Sequence, residues 1–222
     1  SAEALVRWLH EQKGWISPGQ FIPALEKGGY ISQLDRYMIE KVTGCLNQRR
    51  TEEKRFVPVS VNLSWMDFYD ENMLEWIVRG LKKNNQNEQK IRFEITETSL
   101  AAIGENHTRM LTHLKENGAE ILLDDFGSGY SSFGMLQDYD FDILKMDISF
   151  VRNIGVNKKS ESILRAIIDM AHQLEIRLVA EGAETEEQVA FLRENGCDYI
   201  QGYYYYKPMP EKEFLQLLDE GK

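Results

Sequence analysis

Short aliphatic runs alternate with longer segments of helical apolar spacing about seven times along this chain. Such alternation predicts parallel strands joined by right-handed helical crossovers, an α/β fold, and 222 residues suit one (β/α) barrel. The expected strands cover residues 2–8, 56–62, 91–97, 120–125, 142–147, 177–184 (strand and loop) and 198–202. Helical spacing marks 18–26, 31–46, 71–83, 105–117, 160–174 and 211–219, with a polar connection at 84–87. Gly118 stands where a helix C-cap is expected, and Thr185 with Gln188 three residues on predicts a capping box for a further helix. Over 160–174, Ile163, Ala166, Ile167, Met170 and Leu174 share one face. No fixed-period repeat, low-complexity linker or charge block interrupts the pattern, so 1–222 reads as a single domain.

Each strand finishes on a side chain able to bind a metal or a phosphate: Glu3 or Arg7, Asn62, Glu94, Asp124 with Asp125, Lys145 with Asp147, Glu181 and Gln201. Catalytic groups of a (β/α) barrel come from the C-terminal ends of several strands, so the series argues for an active site. Polar loops after strands would explain any one member alone. The central stretch is Ile121 to Ser132, an aliphatic strand that ends on two adjacent aspartates before a loop with Gly127 and Gly129. Neighbouring strand residues point to opposite faces, but a turn of the backbone at the strand end lets both carboxylates reach one centre. Two such anions repel, and a divalent cation between them removes the conflict. A solvated turn capped by Asp124 or Asp125 is the competing explanation.

Five or more carboxylates and one carboxamide make an all-oxygen donor set for Mg²⁺ or Mn²⁺. Adjacent aspartates can bridge two ions, and a two-metal centre suits phosphoryl displacement. Lys145 among the carboxylates would orient or deprotonate a water, or else form a structural salt bridge. Arg7 would hold a phosphate oxygen through its planar fork, or else make a surface ion pair. No Ser/His/Asp signature, P-loop or strand-linked GxGxxG is present, which leaves serine hydrolase, kinase and dinucleotide-dehydrogenase readings poorly supported.

The net charge of −10 argues against a nucleic-acid polymer as partner, because that function calls for a basic patch. No apolar run spans a bilayer and no signal-peptide pattern opens the sequence, so a cytoplasmic domain without membrane contact of its own is expected, in a parent protein that could itself be anchored. Cys45 and Cys197 lie far apart with no CxxC partner, which fits packing roles in a reducing compartment. The run Tyr203 to Tyr206 is expected to alternate between core and surface.

The ordered motifs resemble one family, the EAL domain, a bacterial phosphodiesterase of cyclic di-GMP. They run from Glu3-Ala4-Leu5-Val6-Arg7-Trp8 through Phe21-Ile22-Pro23, Val59 to Ser64 and Glu94-Ile95-Thr96-Glu97 to Asp124 to Ser132. Leu144 to Asp147, Ala180 to Glu184 and Gln201-Gly202-Tyr203 complete them. The resemblance implies a modified (β/α)8 TIM-like barrel that cleaves cyclic di-GMP to linear pGpG with two Mg²⁺ or Mn²⁺ ions. It implies that Glu3, Asn62, Glu94 and Asp124 bind one ion, and that Asp124, Asp125 and Glu181 bind the second. Lys145 would act on the attacking water and Gln201 would support it, while Arg7, Leu5 and Asp147 lie on the substrate side. Glu184 looks like the residue that holds the loop after Asp125. The helix over 160–174 resembles part of the family's homodimer surface, although core packing explains its apolar face as well.

The family's first, antiparallel strand with its Gln-Pro pair is missing before Ser1, as in a cropped domain of a larger protein with sensory or cyclase modules. His10-Glu11 stands for a common His-Pro, Ser128 for threonine and Ala183 for valine; every metal-type residue is in place. Two rival readings remain: a receptor that binds the cyclic dinucleotide without turnover, and a Mg²⁺-dependent barrel lyase or isomerase.

Overall fold

The computed structural model describes residues 1–83, 91–103, 107–128 and 132–221. The connection expected at 84–87, the first two residues of the helix expected over 105–117, and Gly129, Tyr130 and Ser131 of the glycine loop lie outside the described residues. Tertiary contacts divide the chain into two units: 1–95 with 102–120 and 209–222, and 96–101 with 121–208.

The first unit opens with β1 (Ala2–Glu3), a hairpin of β2 (Trp8–His10) and β3 (Gly14–Ile16), and helices α1 (Pro18–Gly28) and α2 (Ile31–Thr51). β4 (Val59–Asn62), a 3-10 turn over Trp65–Tyr69, α3 (Glu71–Lys83) and β5 (Ile91–Thr96) follow. β1 runs parallel to β4 and β4 to β5, which sets Glu3 opposite Ser60 and Asn62 opposite Glu94. Ile91 to Ile95 are all buried, the signature of a strand covered on both faces. A charge in such a strand must be paired, and the Arg92 Nε accordingly donates to Glu120 Oε2 at 2.6 Å. On α2, Ile31, Asp35, Ile39, Leu46 and Arg49 face inward, and Arg49 pairs with Asp219 of the closing helix, Glu211–Asp219. On α3, Met73, Ile77, Val78 and Leu81 are buried; each such side chain contributes roughly 1.5–3 kcal/mol.

Two expectations need correction here. Residues 2–8 do not form one strand: pairing stops at Glu3, the Ala4 N–H makes a last bond to Ser60 O at 2.9 Å, and Trp8 belongs to the hairpin. The polar turn 11–13 followed by Gly14 at φ +70° is a hairpin signal, because a three-residue loop closes through a left-handed residue. Also, α2 runs five residues past Leu46, where apolar spacing has ended but Gln and Arg still propagate a helix well.

α4 (Glu97–Ile103) begins in the second unit, and α5 (His107–Glu116) returns to the first and stops at Gly118 as expected. The second unit continues with β6 (Glu120–Phe126), α6 (Ser132–Asp138), β7 (Ile143–Met146), α7 (Ile148–Arg152), α8 (Lys158–Gln173), β8 (Arg177–Glu181), α9 (Glu186–Glu194) and β9 (Tyr199–Gln201). From β6 to β9, each strand pairs in parallel with the next, as the alternation predicts. Asp142 accepts from the Ile121 N–H and Asp198 from the Leu178 N–H, both at 2.8 Å, so the same device satisfies the start of two strands. Thr185 and Gln188 make the expected capping box at α9.

α8 presents a different face from the expected one. Leu164, Ile167, Ile168 and Ala171 are buried, while Ile163 and Leu174 are 52% and 48% exposed and Ala166 is exposed. The true core stripe is rotated by about one residue, or roughly 100°. The two stripes share Ile167, so spacing alone could not choose between them. Tyr203 to Tyr206 do not alternate either; all four are exposed. Tyr205 and Tyr206 both bond to Gly202 O, which makes a turn that has no two-residue period.

Candidate active-site residues

In the first unit the parallel register places Glu3, Ser60, Asn62 and Glu94 on one face, since alternate residues of a strand share a side. Glu94 is 2% exposed, and Ser60 Oγ donates to its Oε1 at 2.5 Å. A short bond to a carboxylate is the stronger, charge-assisted kind. Glu3 is half-buried and Asn62 exposed at the end of β4. Leu5 and Arg7 lie on the exposed segment after β1, where Arg7 Nη1 turns back to Val6 O at 2.8 Å.

In the second unit, the register of β6 against β7 breaks between Leu123 and Phe126, and Asp125 adopts φ +56°. Both irregularities fall on the paired aspartates. An interrupted ladder can re-aim side chains that a regular strand would send to opposite faces. The Asp125 N–H donates to Asp124 Oδ1 at 2.9 Å. Lys145, 2% exposed on β7, places its Nζ 3.3 Å from Asp124 Oδ1 and 2.8 Å from Glu181 Oε1 on β8. A buried ammonium needs such partners, and here it has two. Gln201 is exposed on β9, directly opposite Glu181 in the register. Asp147 caps α7 through the Ser149 N–H at 2.9 Å, which explains that aspartate structurally.

The loop after Asp125 has a holder that the sequence reading missed. Glu97, buried at the start of α4, accepts from the Gly127 N–H at 3.3 Å. Glu184 is exposed, with its own N–H bonded to Gln188 Oε1. Gly127 has φ +89°, and a Cβ there would lie 2.6 Å from the Phe150 ring, so glycine is required twice over. A glutamate placed straight after a strand, at the start of a helix, was the signal available for Glu97.

The donors are carboxylate and carboxamide oxygens, the chemistry a hard divalent cation takes. Asp124 and Glu181 already converge on one positive charge. Among the described residues, no three Asp, Glu, His or Cys side chains come together closely enough to hold an ion. In the second unit the Lys145 ammonium stands between the Asp124 and Glu181 carboxylates.

Against protein families, the EAL domain matches residues 1–208. The chain belongs to the EAL domain family. Cyclic di-GMP phosphodiesterase NbdA of Pseudomonas aeruginosa is 35% identical over 217 residues, 96% of this chain and 28% of that protein. Probable cyclic di-GMP phosphodiesterase PdeG of Escherichia coli is 32% identical over 216 residues, 97% of this chain and 43% of that protein. The chain therefore spans less than half the length of either relative. Among solved structures, the PaMucR phosphodiesterase in complex with c-di-GMP matches with TM-score 0.86 and 31% identity, over 96% of this chain and 86% of that one. The EAL enzyme Bd1971 with cAMP and cyclic-di-GMP bound matches with TM-score 0.89 and 30% identity, over 97% and 59%. The EAL fold is TIM-like, so the expected (β/α)8 class is borne out. Among the described residues, no helix is long and apolar enough to cross a membrane.

Proposed function

We propose that this EAL chain hydrolyses cyclic di-GMP to linear pGpG and acts as one catalytic domain, 1–222, of a larger cytoplasmic signalling protein. The observation that carries this reading is the buried Lys145 ammonium between Asp124 and Glu181, in a chain that matches the family over 1–208. Glu3, Asn62, Glu94 and Asp124 would have to draw in to hold one Mg²⁺ or Mn²⁺, and Asp124, Asp125 and Glu181 likewise to hold a second. Bound there, the ions would supply a water of lowered pKa and neutralise phosphate charge.

The chain's own side chains do the rest. Lys145, kept in place by two carboxylates, points an ammonium at the attacking water or the phosphate oxygen beside it. Gln201, opposite Glu181, supports the same water. Arg7 grips a phosphate through two N–H groups, with Leu5 against the nucleotide. Asp147 acts at a distance, by fixing the start of α7. Glu97 takes the loop-holding role, and Glu184 borders the next helix cap. The exposed Ile163 on α8 and Leu174 at its C-cap would be covered in a homodimer. The family match leaves the lyase reading unsupported.

The test is chromatography of cyclic di-GMP incubated with the protein and Mg²⁺ or Mn²⁺, beside an EDTA control. Metal-dependent release of pGpG is expected. Tight nucleotide binding without product would replace the enzyme by a receptor, and neither binding nor product would end both readings.

A further inference from the structure

Two buried carboxyl groups of the first unit take no part in that chemistry. Asp35 on α2 and Asp67 in the 3-10 turn are 6% and 0% exposed. Oδ2 of each accepts from one and the same donor, the Ser64 backbone N–H, at 3.1 Å. Asp67 Oδ1 is buried without a hydrogen-bond partner. The charges that act on the pair from neighbouring elements are those of Glu26 on α1 and Asp70 just past the turn, both acidic, and Ser32 at the start of α2 lies beside Asp67. Two carboxylates crowded on one N–H, away from water, cannot both be anions, since desolvation and mutual repulsion each favour an acid form.

We propose that Asp35 and Asp67 share a single proton, with Asp35 as the acid and Asp67 as the anion that accepts it. The protonated pair clamps the Ser64 N–H, two residues beyond Asn62, and so fastens the chain where β4 ends. Burial first, then the Asp67 charge, push the Asp35 carboxyl up to about 9, and burial raises Asp67 as well. The pair therefore keeps its proton through neutral pH. This holds independently of whether the chain hydrolyses anything.

Folding stability depends on this proton. An aspartate in the unfolded chain titrates at ~3.9, so between there and about 9 the folded form binds one proton more. Stability is then lost as pH rises across that window. Urea unfolding of the protein and of Asp35→Asn, from pH 5 to pH 8, tests the point, because the amide gives Asp67 a permanent donor. The folding constant of the unsubstituted protein, relative to the variant, is expected to fall by up to about tenfold per pH unit. Parallel curves would overturn the proposal. Asp67→Asn removes the same linkage and serves if Asp35→Asn does not fold. A readout needing no variant is the carboxyl ¹³C resonance of Asp35. It is expected at its protonated position at pH 7, and a titration midpoint near 4 would refute the shared proton.

Discussion

Glu94 in the first unit takes its bond from a neutral hydroxyl, Ser60 Oγ at 2.5 Å, whereas Asp124 and Glu181 in the second share the Lys145 ammonium at 3.3 and 2.8 Å. A hydroxyl orients a carboxylate without changing the local charge, while an ammonium orients two and cancels part of their repulsion. These two contacts thus support strand-end acids by different physics. In the first, a hydroxyl on the neighbouring strand of a regular ladder bonds the Glu94 carboxylate. In the second, the ladder itself is broken at Asp124 and Asp125, and a cation holds what the broken ladder releases.

Removing the ammonium should do the most damage. Lys145→Met would leave two carboxylates facing each other without their common partner, and an expected loss of about 3 kcal/mol in urea unfolding follows from breaking a buried ion pair. Ser60→Ala removes one charge-assisted bond to the buried Glu94, for an expected loss of about 1.5 kcal/mol by the same measurement. If the two losses came out equal, the hydroxyl and the ammonium would not differ as described. Next, Glu97→Ala frees the Gly127 N–H and should cost about 1 kcal/mol, while Glu184→Ala, on an exposed side chain, should stay within about 0.5 kcal/mol. Reversal of that order in thermal unfolding would return the loop to Glu184. The smallest effect concerns Cys197, whose thiol burial pushes up to about 11. At pH 8 very little thiolate exists there, so alkylation by iodoacetamide should be far slower in the folded protein than in urea. Equal rates would contradict the burial.

Much of this arrangement was legible in the residues because strands and their ends obey local rules. The aliphatic runs found the parallel strands, the bounds 211–219 of the closing helix agree with its apolar spacing, and Thr185 with Gln188 marked a real capping box. The strand-end acids were visible for the same reason, and the ordered motifs connected them to a family. What stayed hidden depends on tertiary partners. Nothing in the spacing of α8 shows which of two stripes meets β8, and the hairpin at Trp8 lay concealed in an apolar run that looked continuous. Asp35 and Asp67 are far apart in the chain, and only the fold brings both to the Ser64 N–H. Glu97 looked like the end of a strand, yet the backbone turns there into α4 and buries it against Gly127.

If both sets of acids serve one phosphodiester hydrolysis, as proposed, then pGpG release by Glu94→Gln and by Asp124→Asn, compared with that of the unsubstituted protein, shows it most directly. Each substitution keeps the side-chain size and removes one charge from one set. Both variants are expected to lose turnover by about a thousandfold or more, with unchanged circular dichroism, as for a group that acts in the transition state. A folded variant of either kind that kept the full rate would contradict the claim.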